Sequence, residues 1–155
     1  MEIIDTKLEF KDEMKLRDTN KIYLIILHHR AGHGDVQSIH DLHLKRKYAG
    51  IGYHFYIRQD GIVYKGRPVK YIGAHCKDNN SLSIGICLEG DFRVEQPTPE
   101  QLDSLSALVR QLKMEYPRIK RVLNHKDFMA TACPVIDLKT LVKGINKDGS
   151  FRKNY

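Results

Sequence analysis

The chain has 155 residues, 41% hydrophobic and 29% charged, with 11 glycines and 5 prolines. That composition fits one globular domain with a buried core and excludes a disordered or collagen-like chain. The formal charge is +7; residues 1–20 hold four bases and six acids, so the positive excess lies beyond residue 20. It favours polyanionic partners (nucleic acid, anionic lipid or an acidic wall polymer) without choosing among them.

Residues 1–20 read as a charged lead-in, with a short strand expected at 7–10. Their ten charges are unlike the apolar middle of a secretory signal. No stretch approaches the roughly 18 apolar residues of a membrane helix, so no membrane partner is expected. Ile22–Leu27 is a continuous apolar run with the length and β-branching of a strand buried on both faces. Ser38–Lys47 reads as a short helix capped by Ser38 or Asp35. Tyr53–Arg58 and Ile62–Lys65 flank Asp60-Gly61, a hairpin signal. Ser83–Glu89 alternates, with Ile84, Ile86 and Leu88 on one face, and Gly90 and Asp91 end it. Thr98, Pro99 and Gln101 combine a cap, a first-turn proline and a capping box. Leu102, Leu105, Leu108, Val109 and Leu112 then form one apolar stripe, which should stop before Pro117. Arg121–Asn124 reads as another strand. Leu138–Val142 reads as a last helix after Asp137, with Gly144 just past its end. Residues 145–155 read as a frayed basic tail, leaving 21–144 as the domain proper. Interleaved strands and helices predict a single α/β domain, a central mixed sheet flanked by helices.

Three cysteines cannot all pair within one chain and read as free thiols or metal ligands. Eight histidines are many for this length. His28 and His125 each follow a predicted strand, and Cys133 lies eight residues after His125. Two histidines and one cysteine from separate elements form a catalytic zinc set that leaves a fourth position open. His40 with His43 on one helix face, and the local group His28, His29 and His33, are competing sets. Neither offers a clear third ligand with strand-end placement.

Five pieces occur in order: Ile25-Ile26-Leu27-His28-His29, Ile51-Gly52-Tyr53-His54-Phe55, Gly73-Ala74-His75, Asn80 leading to Ser83-Ile84-Gly85-Ile86, and His125 through Thr131-Ala132-Cys133-Pro134. Over residues 22–143 this resembles the zinc-dependent N-acetylmuramoyl-L-alanine amidases, which include phage lysozyme-type amidases and peptidoglycan-recognition proteins. The resemblance implies a zinc cleft on one face of the sheet and one bound zinc ion. His28, His125 and Cys133 match the ligands, and Tyr53 matches the tyrosine beside the metal-bound water. Thr131 stands where phage enzymes often carry lysine and catalytic recognition proteins carry threonine. A hydroxyl there can donate a hydrogen bond but brings no charge. His75, Asn80 and His54 are implied as substrate-binding residues. Arg30 and Lys126 could meet peptide carboxylates. Related cytoplasmic recycling amidases carry aspartate and glutamate where this chain has Cys133 and Cys87, so the wall-lytic branch is favoured.

The implied activity is hydrolysis of the amide between N-acetylmuramic acid and L-alanine in peptidoglycan, as in a phage or prophage endolysin. Such a protein is made in the cytoplasm without a signal peptide and meets the wall after release through a pore or lysis. A monomer is expected. The alternative is a non-catalytic peptidoglycan-binding module on the same fold, which typically lacks one ligand, most often the cysteine. Nucleic acid is not an expected partner, because the charges are scattered, Trp is absent and no basic run exceeds Lys45-Arg46-Lys47.

Overall fold

A computed structural model describes residues 1–153. Its framework is a six-stranded mixed sheet. In chain order the elements are β1 (Ile3–Ile4), β2 (Leu24–His29), α1 (Val36–Lys45), β3 (Phe55–Ile57), β4 (Val63–Lys65), β5 (Ser83–Leu88), α2 (Pro99–Glu115) and β6 (Arg121–Asn124). Across the sheet the order is β1-β4-β3-β5-β2-β6. The central strands β3, β5, β2 and β6 run parallel, and only the β3–β4 hairpin is antiparallel.

The two faces bury different helices. Ile25 and Leu27 of β2, Ile84, Ile86 and Leu88 of β5, and Val122 of β6 pack with Leu105, Leu108, Val109 and Leu112 of α2. The other face carries a smaller cluster of Val36, Ile39, Ile51, Tyr56 and Cys87 under α1. Side chains alternate between faces along a strand. His28 therefore shares the α1 face with Cys87, its register partner on β5.

Helix α2 starts with the predicted box: Thr98 Oγ1 accepts from the Gln101 amide and Gln101 Oε1 from the Thr98 amide. Helix α1 is displaced from the expected 38–47, because Asp35, not Ser38, is its cap and accepts from the Ser38 amide at 2.9 Å. The hairpin forms around Gly61 (φ 85°), whose conformation favours glycine.

Four further expectations give way. The short strand is at Ile3–Ile4, not 7–10. There Leu8 and Phe10 instead pack against the α1-face cluster, and Glu9 O accepts from His40. Strand β2 continues through His28 and His29 rather than ending before them, since both still pair with β5. The last helix is a 3-10 turn, Leu138–Leu141. The Asp137 carboxylate accepts from Asn124 Nδ2 instead of capping that turn. Residues 145–153 are docked, not frayed: Ile145 is buried in the main core, the Val122 amide donates to Gly149 O, and Ser150 bridges to Arg121. The last two residues of that predicted tail lie outside the described range.

Candidate active site

Parallel pairing builds the site. Leu27 and Asn124 are register partners on β2 and β6, so the next residues, His28 and His125, emerge at the same end of the sheet. Their ring centroids are 4.6 Å apart. Cys133 arrives on the loop after β6. That loop is fixed by the Lys126 amide donating to Cys133 O at 2.7 Å and by Lys126 Nζ donating to Val135 O. One ligand atom from each of His28, His125 and Cys133 lies within 4.8 Å of the others, the sole such group found among the described residues.

The group suits a metal. His28 Nδ1 is 3.9 Å from Cys133 Sγ. A tetrahedral zinc with Zn–N of about 2.0–2.1 Å and Zn–S of about 2.3 Å would hold such atoms about 3.6 Å apart. For that pair a contraction of a few tenths of an ångström suffices. Burial and the neighbouring His125 and His29 hold the His28 pKa well below the usual imidazole range, and burial also lowers that of His125. Both are therefore neutral donors at pH 7. Burial pushes the Cys133 thiol up to about 11, partly countered by the His29 amide, which donates to its sulfur. A cation must displace that proton to bind.

Tyr53 closes the side of the group, its ring centroid 5.0 Å from that of His28. Burial, with the Cys87 and Cys133 thiols nearby, raises its pKa well above the usual range, so the phenol remains a donor. Thr131 Oγ1 accepts from the Cys133 amide, leaving its own proton free. Two adjoining recesses share Tyr53 and His125. One also holds Thr131, Cys133 and Arg93; the other holds His43, Arg46, Tyr48 and Lys77. Of the His–His–Cys group, His125 lines both recesses and Cys133 one, while His28 is buried.

Residues 18–135 match the family described as N-acetylmuramoyl-L-alanine amidase. The chain belongs to that family. It is 36% identical over 113 residues to an endolysin of Enterobacteria phage K11, covering 70% of this chain and 74% of the relative. Among solved structures it resembles the N-acetylmuramoyl-L-alanine amidase LysC from Clostridium intestinale URNW, with a TM-score of 0.81, 36% identity, and 88% and 91% of the two chains covered. It also resembles a chain in the complex of tracheal cytotoxin with the ectodomains of the peptidoglycan recognition proteins LCa and LCx, with a TM-score of 0.79, 26% identity, and 86% and 90% covered. The family hydrolyses peptidoglycan, and the mixed sheet with its two helices is the amidase fold.

Within this amidase the remaining predicted residues separate. Asn80 lines the cleft, but its Oδ1 accepts from the His75 and Cys76 amides, which fixes the loop. His54 does not line the cleft. It is 1% exposed; its Nδ1 accepts from the Gly85 amide, its Nε2 donates to Tyr71 O, and Arg17 lies against it. His75 borders the cleft, yet both its ring nitrogens face protein atoms. The competing His40 and His43 pair accepts from the Ile51 and Gly52 amides, which explains two histidines one turn apart without a metal. Arg30 donates to Asp35 O and Ser38 Oγ, Lys126 donates to Val135 O, and neither lines the two recesses. The cations that line the two recesses, Arg46 and Lys77 in one and Arg93 in the other, belong to no motif.

Proposed function

We propose that this amidase is zinc-dependent, cuts the bond between N-acetylmuramic acid and L-alanine, and acts as an endolysin, a monomer that meets the wall after release from the cell. The observation that carries the reading is the convergence of His28, His125 and Cys133, with His125 and Cys133 opening onto surface recesses. No helix among the described residues is long and apolar enough to cross a membrane.

His28, His125 and Cys133 would hold the ion, leaving a fourth position toward the cleft. Zinc there supplies a Lewis acid that makes water a nucleophile near neutral pH and polarises an amide carbonyl. The Tyr53 phenol, kept protonated, donates to the carbonyl oxygen as it gains charge, and the Thr131 hydroxyl offers a second donor from the Cys133 side. Arg46 and Lys77 attract the carboxylates of the stem peptide. A purely binding module on this fold is disfavoured because Cys133 is present and in place.

The test is digestion of purified peptidoglycan with and without a chelator. New L-alanine amino termini, lost on chelation and in Cys133→Ser, support the assignment. Reducing sugar ends in their place would indicate a glycosidase and overturn it.

A further inference from the structure

His75 follows Gly73-Ala74 in the loop between β4 and β5, and its ring meets that of His28 edge-on, centroids 5.0 Å apart and planes at 87°. Its Nδ1 lies 2.9 Å from His28 Nε2. Its Nε2 faces Ser83 Oγ at 3.3 Å, and the Ser83 hydroxyl lies 2.7 Å from Asn79 O.

Proton positions along this chain follow from its far end. A carbonyl oxygen can only accept, so the Ser83 hydroxyl proton goes to Asn79. Ser83 Oγ then offers His75 only lone pairs, which places the His75 proton on Nε2. A neutral His75 presents a bare Nδ1, which requires the His28 proton on Nε2. His28 Nδ1 is left with a free lone pair, and that is the atom facing Cys133 Sγ at 3.9 Å. His75 is buried, its ring packed edge-on against both His28 and His54, and its Nδ1 shares one proton with His28 Nε2.

The ring is also held mechanically. A Cβ at Gly85 would stand 2.6 Å from His75 Cγ, and one at Gly73 would stand 2.8 Å from its Cδ2. Both positions give up a side chain to make the slot. Asn80 Oδ1 ties down the His75 amide at 2.9 Å.

We infer that His75 is a positioning residue that selects the His28 tautomer with a bare Nδ1 and locks that ring toward Cys133 and His125, rather than a group that grips substrate. The inference rests on the zinc-amidase reading. Gly73, Asn80, Ser83 and Gly85 form its cradle.

Zinc affinity of the full chain is measured by competition with a chromophoric chelator, and the His28 tautomer by two-bond proton–nitrogen NMR correlations. The wild type should show Nε2–H on His28. His75→Ala should bind zinc about 10–100-fold more weakly, with KM for a soluble muropeptide unchanged once zinc saturates. His75→Asn places an acceptor near the Nδ1 position and should recover most of the affinity. Ser83→Ala frees only the outer end of the chain and should lose less, in the same direction. Unchanged zinc affinity in folded His75→Ala, a raised KM in its place, or a wild-type Nδ1–H tautomer overturns the inference. Should His75→Ala fail to fold by circular dichroism, the wild-type tautomer and Ser83→Ala decide it. A wild type that binds no zinc refutes the metal reading itself.

Discussion

Lowering the pH from 7 to 5 should strip this protein of a large part of its stability through two histidines that coordinate nothing. His43 and His54 are both buried and neutral, and each uses Nδ1 to accept from a backbone amide, Gly52 and Gly85 respectively. Protonating Nδ1 destroys that bond. Burial first, then the Arg46 and Arg67 guanidiniums and the His40 ring, bring His43 from 6.5 to about 4. Burial first, then the Arg17 guanidinium, bring His54 from 6.5 to about 3, despite the opposing bond to Tyr71 O. Both folded pKa values lie below the unfolded value, so the unfolded chain binds more protons throughout this window. Stability is complete above about pH 6.5 and falls as the pH drops toward the folded values. From pH 7 to 5 each group contributes a loss of about 2 kcal/mol, or about 4 kcal/mol together. That is a sizeable share of the 5–15 kcal/mol typical of a domain. Urea unfolding midpoints, followed by circular dichroism across this range, measure the slope. His43→Asn and His54→Asn keep an acceptor near the Nδ1 position without a titrating ring, so each should flatten the slope by up to one proton's worth. A midpoint independent of pH, or a slope unchanged in the double variant, would refute the reasoning.

Tyr53→Phe should lower turnover by about 10²–10³-fold while zinc content, read by elemental analysis, stays at the wild-type level. Thr98→Ala removes the cap of α2 and also the hydrogen bond to Gln59 O, and should cost about 1–2 kcal/mol in urea denaturation. Leu108→Ala, at a fully buried position of the α2 face, should cost about 2–5 kcal/mol in the same assay. With a net charge of +7, binding to anionic wall fragments should weaken steadily as sodium chloride is raised through the physiological range.

Much of the fold was legible because several local signals agreed. At α2 the cap, the proline, the box and the leucine stripe pointed to the same helix. At β2 a continuous apolar run marked the strand, and at β5 the alternation of Ile84, Ile86 and Leu88 did; the sheet encloses both strands. Boundaries were less legible where local alternatives were nearly equivalent. Asp35 and Ser38 could each cap α1, and only the structure shows the Asp35 carboxylate bonded to the Ser38 amide. The docking of residues 145–153 depends on Ile145 reaching the main core and on bridges to β6, none of which leaves a periodic pattern in so short a segment.

From the chain alone came His28, His125, Cys133 and Tyr53 as the candidate site, and the class of reaction, because residue type and order carry that chemistry through a family likeness. Packing assigned the other histidines. Identical imidazoles at 40, 43, 54 and 75 bind backbone amides or brace a neighbour according to which atoms the tertiary structure brings within about 3 Å, a distance that sequence separation does not encode.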